Sequence, residues 1–400
     1  MISQPLQWNF FGKGGIFLKT VGIICEYNPF HLGHKKQFDR IRSAFGQDAV
    51  IVCLMSGNFV QRGISAIFDK SLRAQAAIDC GADLVLELPV THALSSAEGF
   101  AAGGVKILSP FCDYLCFGCE TGNADALMQT AAALLSAEFS IALRQELESG
   151  CSFPVARQRA LEQLGVNSSL LQNPNDILAV EYCKAILAQN SSMQPFPIRR
   201  EGSYHATAAD AENPSATAVR ELIVQSKEWD SYLPAPAATV FCDAPVHTMA
   251  AGERAMLGRL RTMTDADFEA LPYGSEGLWR KLMHACREHA TLEEILTATK
   301  SKRYTRTRLD RMVMCAYLGI TEELLRSPVP YVRVLGLRNS GIPALKTARK
   351  TGLFPHIGEK TGLHYETLEQ RWDDLYGLFR QNAPSASGQT GNRRIYLYKE

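Results

Sequence analysis

Residues 20–37, TVGIICEYNPFHLGHKKQ, decide the fold of this 400-residue chain. The first six of them are mostly apolar and predict a β-strand. Just beyond, Phe38, Ile41 and Phe45 recur at helical spacing and predict a helix that begins near Gly33. A strand that passes through a short turn into a helix is the opening unit of a parallel α/β sheet.

The turn contains the pattern His31-x-Gly33-His34. Pro29 restricts the turn, Gly33 lets the backbone approach a ligand, and the free N–H groups at the start of the helix favour an anion. Both imidazoles can donate hydrogen bonds to phosphate oxygens. The pattern is typical of enzymes that attack the α-phosphate of a nucleotide and expel pyrophosphate. The alternative is a pair of surface histidines at the start of a helix.

Strands and helices go on alternating through the first half of the chain. Further strands are predicted at 49–54, 83–89, 113–118 and 195–200, and helices at 69–80, 94–107, 123–136, 138–149, 154–164 and 176–188. Apolar strands that alternate with helices predict a Rossmann-like parallel sheet covered on both faces. Ligands of such sheets bind beyond the carboxyl ends of the strands, so the loops there are the candidates for an active site.

The chain divides into three predicted parts. Residues 1–19 form an extension before the α/β domain of residues 20–232. The Pro/Ala-rich stretch 233–238 is predicted to be a linker. Residues 239–400 have mainly helical periodicity, with one more strand possible at 394–398.

Composition excludes several classes of protein. A hydrophobic fraction of 46% and a charged fraction of 21% are those of an ordinary globular protein, and the net charge of +1 gives no overall attraction to nucleic acid. No secretory signal and no membrane-spanning apolar run is apparent, so we expect a cytoplasmic protein without membrane contact. The sequence gives no indication of the oligomeric state.

The chain has 11 cysteines, an odd number that favours reduced, buried thiols over a disulfide framework. Cys112, Cys116 and Cys119 have the spacing of iron–sulfur ligands. They lie on a predicted strand, however, which would turn Cys112 and Cys116 to one face and Cys119 to the other. We therefore predict no bound metal.

Polar side chains follow the second strand and open the helix after it. The predicted substrate-binding loop 55–63 contains Ser56, Asn58, Gln61 and Arg62, with an ordinary surface loop as the alternative. Three charged residues then open the predicted helix, either as a solvated face or as part of a binding site: Asp69, Lys70 and Arg73.

Later strand ends supply more candidates. Gly118 leaves room for a base or ribose, and an arginine at 199 or 200 could hold phosphate. Asn175 could bind a ligand or simply cap its helix. A second phosphate cradle is predicted where a helix begins with two hydroxyls and a guanidinium: Ser215, Thr217 and Arg220.

The densest basic run of the chain lies in its second half. It comprises Lys300, Lys302, Arg303, Tyr304, Arg306 and Arg308. Clustered cations with an aromatic residue between them predict contact with a nucleic-acid backbone, and we favour RNA. The alternative is a solvated helix face.

Together these motifs resemble one family, the bacterial tRNA(Met) cytidine acetate ligases. The matching segments are 26–34 (EYNPFHLGH), 55–63 (MSGNFVQRG), 81–89 (GADLVLELP), 117–120 (FGCE), 174–178 (PNDIL), 215–220 (SATAVR) and 302–305 (KRYT). The resemblance implies a nucleotidyltransferase-like domain that forms acetyl-adenylate from acetate and ATP, followed by a helical tRNA-binding domain. It implies that the acetyl group passes to N4 of the wobble cytidine of elongator tRNA(Met), which gives N4-acetylcytidine.

The resemblance also implies an ATP site, with ATP entering as its magnesium complex. Its residues would be Ile24, Cys25, Glu26, Tyr27, Asn28, Pro29, Phe30, His31, Leu32, Gly33, His34, Lys35, Lys36, Gln37, Gly118, Asn175 and Arg200, joined by Ser215 and Thr217 of the second cradle. His31, His34 and Arg220 are the predicted catalytic residues, since they would stabilise charge on the phosphates.

Two other functions fit parts of the sequence. A small-molecule adenylyltransferase, acting on pantetheine phosphate or nicotinate nucleotide, would use the same α/β domain but would not need residues 239–400. A non-catalytic RNA-binding protein would not need intact histidines at both motif positions.

Overall fold

The computed structural model describes residues 18–200, 214–328, 331–352, 356–357, 364–385 and 395–398. Most of the predicted extension 1–19 therefore lies outside the described residues. The strands, in chain order, are β1 (Thr20–Cys25), β2 (Val50–Ser56), β3 (Phe59–Val60), β4 (Ile64–Ser65), β5 (Leu84–Leu88), β6 (Tyr114–Cys119), β7 (Gln194–Arg199), β8 (Tyr331–Val332), β9 (Val334–Leu337), β10 (His356–Ile357) and β11 (Tyr396–Leu397).

Seven of these strands form one sheet, in the order β11-β9-β5-β2-β1-β6-β7. The five strands from β5 to β7 run parallel to one another, which confirms the predicted Rossmann-like architecture. The chain starts at β1 in the middle, builds outward to β5, and then returns to add β6 on the other side. This reversal between β1 and β6 is the point at which open α/β sheets bind ligands.

Helices cover both faces of the sheet. Those of the first half are α1 (Leu32–Phe45), α2 (Lys70–Asp79), α3 (Val90–Ala93), α4 (Ala97–Leu108), α5 (Ala124–Leu134), α6 (Ala137–Glu148), α7 (Phe153–Gln163), α8 (Pro174–Ala188) and α9 (Ala216–Val224). The predicted helix 94–107 corresponds to α4, which begins at residue 97 because the Ser96 side chain accepts a hydrogen bond from the Gly99 N–H and caps it. The short helix α3 lies before the predicted range.

The second half is mostly helical, as its periodicity predicts. Its helices are α10 (Ala235–Phe241), α11 (Met249–Thr262), α12 (Asp265–Glu269), α13 (Leu278–Glu288), α14 (Leu292–Thr299), α15 (Arg306–Leu318), α16 (Glu322–Arg326), α17 (Ile342–Lys350) and α18 (His364–Tyr376). Helices α11, α13, α14, α15 and α18 share a separate apolar core that includes Leu282, Met312 and Trp372.

The two halves meet in the sheet. Strand β9 pairs antiparallel with β5, and β11 pairs parallel with β9. The stretch 233–238, predicted to be a linker, instead leads into α10, whose Ala237 and Phe241 are buried and whose Phe241 ring stacks on Phe68 at 4.5 Å. The apolar residues of this stretch form a packed helix rather than a linker. Burial of Phe241 stabilises the packing of that helix by about 1.5–3 kcal/mol.

A helix that crosses a membrane must be both long and apolar. Within the described ranges no single helix is long and apolar enough to span one, and only α5 and α6 together, bent by 70°, satisfy the length and composition criteria.

Candidate active site

The histidine turn joins β1 to α1 at the centre of the sheet. His31 caps α1: its Nδ1 accepts a hydrogen bond from the Gly33 N–H at 3.1 Å. In return, the His31 N–H donates to Nδ1 of His34 at 3.2 Å. The two rings stack, with their centroids 3.8 Å apart. This reciprocal capping box fixes both imidazoles relative to the start of the helix.

The same hydrogen bonds determine what the two rings can offer a ligand. Because Nδ1 of each ring accepts a backbone N–H, the proton of each neutral ring lies on Nε2, which is a donor. Burial, with the charges of Arg200 and Arg220, lowers the pKa of His31 to about 3. Burial, His31 and Arg200 also lower the pKa of His34 well below its ordinary value. At neutral pH the pair therefore consists of two uncharged hydrogen-bond donors.

Aromatic side chains support the turn from below. Tyr27 and Phe30 are buried, and the Tyr27 ring meets the His34 ring edge-on with centroids 4.8 Å apart. Phe38 of α1 packs against both Tyr27 and Phe30. A rigid apolar floor of this kind excludes water and preserves the orientation of the histidine rings.

The residues of the second predicted cradle lie against the histidine turn. Nη1 of Arg220 donates to the backbone carbonyl of Asn28 at 2.7 Å, and Nη2 donates to Oγ1 of Thr217 at 3.1 Å. Ser215 caps α9 by accepting the Ala218 N–H at 3.1 Å. Burial lowers the pKa of Arg220, yet its guanidinium remains a cation beside neutral His31.

Two adjacent arginines lie where β7 ends: Arg199 is its last residue, and Arg200 follows it. Arg200 is the one that faces this site. Its side chain lies over Gly118, where an added Cβ would be 3.3 Å from Cγ of Arg200. Arg199 lies against Gly122 instead, and its carbonyl accepts a hydrogen bond from Arg40 at 3.0 Å. Of these two arginines, it is Arg200 whose charge lowers the pKa of both His31 and His34. The absence of a side chain at Gly118 thus leaves room for the Arg200 side chain.

Asn175 contacts the end of β6 rather than capping its own helix. Its Nδ2 donates to Oε1 of Glu120 at 2.7 Å, and the Asp176 N–H donates to Oε2 at 2.9 Å. In return, Oδ1 of Asp176 accepts hydrogen bonds from the N–H groups of Glu120 and Thr121 at 2.9 and 3.1 Å. This clamp holds α8 at the carboxyl end of β6, beside Gly118. The carboxylate that holds Asn175 belongs to the FGCE motif, but spacing alone does not predict the pairing.

The remaining residues of the predicted ATP segment have varied surroundings. Ile24 packs against Gly104 of α4, and Cys25 donates to the Leu54 carbonyl at 3.7 Å. On α1, Lys35 pairs with Asp39, and Gln37 donates to Sγ of Cys116 at 3.4 Å. Leu32 and Lys36 are half-buried. Within the predicted ATP segment, the histidine turn thus forms the candidate site, whereas the residues before and after the turn contact other parts of the chain.

The loop after β2 is more deeply buried than a substrate-binding loop requires. Ser56 and Asn58 are fully buried, and Nδ2 of Asn58 donates to Oδ1 of Asp373 at 2.9 Å. Oδ1 of Asn58 accepts a hydrogen bond from the Lys70 N–H at 2.8 Å. The amide of Asn58 thus joins the two halves of the chain, a role that its position after a strand does not reveal.

Gln61 and Arg62, later in this loop, lie nearer to the histidine turn. The Gln61 N–H donates to Oε1 of Glu26 at 2.9 Å, and its side chain donates to the Ser95 carbonyl at 3.4 Å. Arg62 is exposed, and its charge contributes to the lowered pKa of Arg220. These two residues of the predicted loop border the site.

Neither Lys70 nor Arg73 lies on a solvated face, so that alternative is wrong for both. The Arg73 guanidinium is fully buried and donates to backbone carbonyls of Glu26 at 2.6 Å, Ser56 at 3.1 Å and Phe68 at 2.8 Å, and to that of Gly57. It therefore ties together the loops that follow β1 and β2. Asp69 caps α2 by accepting the Ser71 N–H.

Lys70 belongs to a buried ionic network between the two halves of the chain. Its Nζ lies 2.6 Å from Oε1 of Glu87 on β5 and 2.7 Å from Oδ2 of Asp373 on α18. Arg333 lies 3.1 Å from Glu369, whose pKa is raised to about 7 by burial and by the nearby charge of Glu87. Removal of one partner from such a network leaves a buried charge uncompensated.

Several cations of the basic run are paired within the molecule. Nη2 of Arg303 lies 2.7 Å from Glu276, and both terminal nitrogens of Arg306 donate to Glu293 at 2.7 and 2.8 Å. Tyr304 also donates to Glu276, and Arg308 donates to the Tyr273 carbonyl at 2.7 Å. Lys300 and Lys302 are exposed. Because nearby glutamates neutralise Arg303 and Arg306, the folded surface at this run carries less net positive charge than the sequence of the run indicates.

The three closely spaced cysteines lie in two different cores. Cys112 and Cys119 pack on one side of the sheet and Cys116 on the other. Cys112 precedes β6, so the strand alternation that predicts Cys112 and Cys116 on one face does not apply to it. Burial raises the pKa of Cys116 to about 12 and that of Cys119 to about 11, which keeps both thiols protonated. Across the part of the chain that the structure describes, no group of three or more metal-ligating side chains is assembled.

Comparison with known proteins gives consistent relatives. A family profile described as HIGH Nucleotidyl Transferase matches residues 18–390. The tRNA(Met) cytidine acetate ligase of Clostridium acetobutylicum is 33% identical over 88% of this chain and 92% of its own length. The tRNA(Met) cytidine acetate ligase of Clostridium novyi is 36% identical over 84% of this chain and 89% of its own.

Solved structures match the whole fold. The crystal structure of apo TmcAL from Thermotoga maritima is 28% identical and superimposes with a TM-score of 0.86 over 95% of this chain and 99% of that one. The same protein bound with alpha-thio ATP gives a TM-score of 0.83 over the same shares. The chain therefore belongs to the HIGH nucleotidyl transferase family, and within that family to the tRNA(Met) cytidine acetate ligases.

Proposed function

We propose that this protein is an ATP-dependent ligase that forms acetyl-adenylate from acetate and ATP. It then transfers the acetyl group to N4 of the wobble cytidine of elongator tRNA(Met). The observation that carries the proposal is the pair of stacked, uncharged imidazoles in the turn from β1 to α1, with Arg200 and Arg220 beside them. The relatives named above are ligases of this kind, and one solved relative binds alpha-thio ATP.

In the first step, an acetate oxygen attacks the α-phosphorus of ATP and forms the new P–O bond. The bond from the α-phosphorus to the bridging oxygen breaks, and pyrophosphate leaves with the negative charge. Nε2–H of His31 and His34 would donate to the α-phosphate oxygens, while Arg220 would hold the leaving pyrophosphate. Preorganised donors of this type stabilise the transition state without reorganisation.

In the second step, N4 of cytidine attacks the acetyl carbonyl carbon of acetyl-adenylate. The C–O bond to AMP breaks, AMP leaves with the electron pair, and the nitrogen loses one proton to water or to the phosphate. The mixed anhydride is already activated, so this step needs no nucleophilic side chain. We therefore assign Gln61, Arg62 and the basic run 300–308 to positioning of the substrates.

ATP would bring magnesium with its phosphates, which neutralises charge on the leaving group. Glu26, the carboxylate of the histidine turn, accepts the Gln61 N–H, and no group of three or more metal-ligating side chains is assembled in the described ranges. We propose that residues 20–232 carry the adenylation step and residues 239–400 most of the tRNA contacts. The reaction would take place in the cytoplasm, where tRNA and ATP are available.

One assay separates this function from its alternatives. The protein is incubated with ATP and labelled acetate, together with tRNA, pantetheine phosphate, nicotinate nucleotide or no acceptor. We expect label in tRNA only when ATP is present, and acetate-dependent exchange of pyrophosphate into ATP. Transfer of AMP to a small acceptor would replace the proposal by an adenylyltransferase. RNA binding without either reaction would make the protein non-catalytic.

A further inference from the structure

A large cleft of about 1470 Å³ separates helices α3 and α4 from the second half of the chain. Its walls come from residues 92–106 and Gln189 on one side and from residues 269–279, 303–311 and 322–326 on the other. No residue of the histidine turn lines it. A volume above about 1,000 Å³ exceeds that of an ordinary small-molecule pocket and suits a segment of a macromolecule.

Arg311 is a nearly buried cation in the wall of this cleft. It is only 8% exposed, and its Nε has no hydrogen-bond partner. Its guanidinium lies 5.2 Å from the centre of the Tyr273 ring, and its Nη1 donates to the Gln61 carbonyl at 3.4 Å. A buried donor without an acceptor is costly, and this one lies behind the cleft wall rather than on its open surface.

The cleft reaches the histidine turn through Gln61. Its backbone carbonyl accepts from Arg311, its side chain donates to Ser95 on the cleft wall, and its N–H donates to Glu26 in the turn. Gly63 allows this contact, because a Cβ there would lie only 2.3 Å from the backbone nitrogen of Arg311. Gln61 therefore links the cleft wall to the histidine turn by hydrogen bonds.

The charge of the cleft favours an anion. Three of its four acids are paired with cations: Glu98 with Lys184, Glu276 with Arg303 and Glu322 with Arg326. The fourth, Glu269, is exposed. By contrast, Lys106, Arg308 and Arg311 have no carboxylate within ion-pair distance among the residues that the structure describes. Lys106 is exposed at the rim, where it can meet phosphate.

Aromatic rings line the same walls. Trp279 and Tyr273 are half-buried on the second-half side, and His92 lies opposite on α3. Burial and the charge of Lys106 lower the pKa of His92 to about 4, so this ring is neutral. Rings and cations in one groove are the features that bind single-stranded nucleic acid, because every base has a face that stacks.

We infer that this cleft binds the unpaired RNA loop that carries the acceptor base. In this arrangement Lys106 contacts a phosphate and Trp279 stacks on a base. The identity of the loop rests on the proposed function, whereas RNA binding by the cleft is a separate claim.

The test measures binding of a fluorescent RNA hairpin with the anticodon stem and loop of elongator tRNA(Met). Lys106→Glu is expected to weaken binding about tenfold and to reduce its salt dependence by about one phosphate contact. Trp279→Leu, which keeps an apolar side chain but removes the stacking ring, is expected to weaken binding about tenfold with little change in salt dependence. The control is Arg144→Glu, an equal change of charge on exposed α6, which should bind as the wild type does.

Thermal unfolding of each variant shows whether it is folded, and acetyl transfer to the hairpin is measured with the wild type. Weaker binding by folded Lys106→Glu or Trp279→Leu supports the cleft, even if the wild type transfers no acetyl group and the proposed ligase fails. Wild-type affinity in both folded variants, or no hairpin binding by the wild type, overturns the cleft. If acetyl transfer still occurs in that case, the ligase stands and the RNA binds elsewhere.

Discussion

The histidine turn and the basic run are both rich in groups that bind phosphate, but they are built in opposite ways. In the turn, His31 and His34 are uncharged and are held by hydrogen bonds between residues at most three positions apart. In the run, Arg303 and Arg306 are charged, partly exposed and paired with acids 27 and 13 residues away.

This difference shows why one motif can be interpreted from its spacing and the other cannot. Local hydrogen bonds are encoded by the segment itself, so the pattern His-x-Gly-His brings its own geometry. The net charge of an exposed run depends on which acids fold next to it. We therefore expect substitutions in the turn to have large effects on chemistry and substitutions in the run to have smaller effects on affinity.

The largest effect is expected from His34→Ala. Loss of one preorganised donor should reduce acetate-dependent exchange of pyrophosphate into ATP about 100- to 1,000-fold. Binding of tRNA, measured by filter retention, should change less than twofold (~0.4 kcal/mol). His284→Ala, an exposed histidine of α13, is the matched control and should exchange normally. Equal exchange in His34→Ala would show that the turn does not bind the α-phosphate.

The next effect concerns stability at low pH. The folded-state pKa of His31 is about 3, below that of the unfolded chain, so protons favour unfolding as the pH falls through the unfolded value. Between about pH 7 and pH 5 the wild type should lose about 2 kcal/mol more unfolding free energy than His31→Asn. Asparagine is the matched substitution because it also caps helices. Parallel curves of urea unfolding against pH would contradict the burial of a neutral His31.

A smaller effect is expected when the exposed end of the run is removed. Lys302→Ala combined with Arg303→Ala should weaken tRNA binding about tenfold and lower its salt dependence by one to two contacts, about the number of charges lost. Acetate-dependent exchange reports on the turn and provides the comparison within one protein. An unchanged salt dependence of tRNA binding would place the RNA backbone away from this run.

The smallest effect is expected from removal of an acid that pairs with the basic run, a change that tests whether such acids reduce the affinity of the run for tRNA. Glu276→Gln removes the carboxylate that pairs with Arg303 and accepts from Tyr304. Because an exposed ion pair contributes about 0–1 kcal/mol, the unfolding free energy should hardly change. Affinity for tRNA should rise about twofold as Arg303 becomes available. A loss of affinity would mean that Glu276 positions Arg303 for RNA rather than neutralising it.

Sequence periodicity predicted the parallel strands well because each is a short, continuous apolar segment. It predicted β1, β5 and β6 to within one or two residues and the helices between them, and it placed the histidine turn at the edge where strands end. It missed β3, β4, β8 and β10, since two residues carry no periodicity, and it did not predict β9. It could not show that β9 and β11 extend the sheet, because that pairing joins residues far apart in the chain.

Charged residues were the hardest to interpret. Lys70 and Arg73 open a helix in a polar stretch, which is what a solvated face also looks like, yet both are fully buried. Their burial depends on Asp373 and on carbonyls from four separate positions, which only the folded chain brings together.

By itself, the sequence was sufficient to determine the α/β class, the histidine turn and the family, because these depend on neighbours within a few residues. The tertiary structure alone decided which charges are buried, which arginine faces the histidines, and that a cleft forms between α4 and α15. Those features arise from contacts between distant segments, whose energies are set by burial and by the partners that folding supplies.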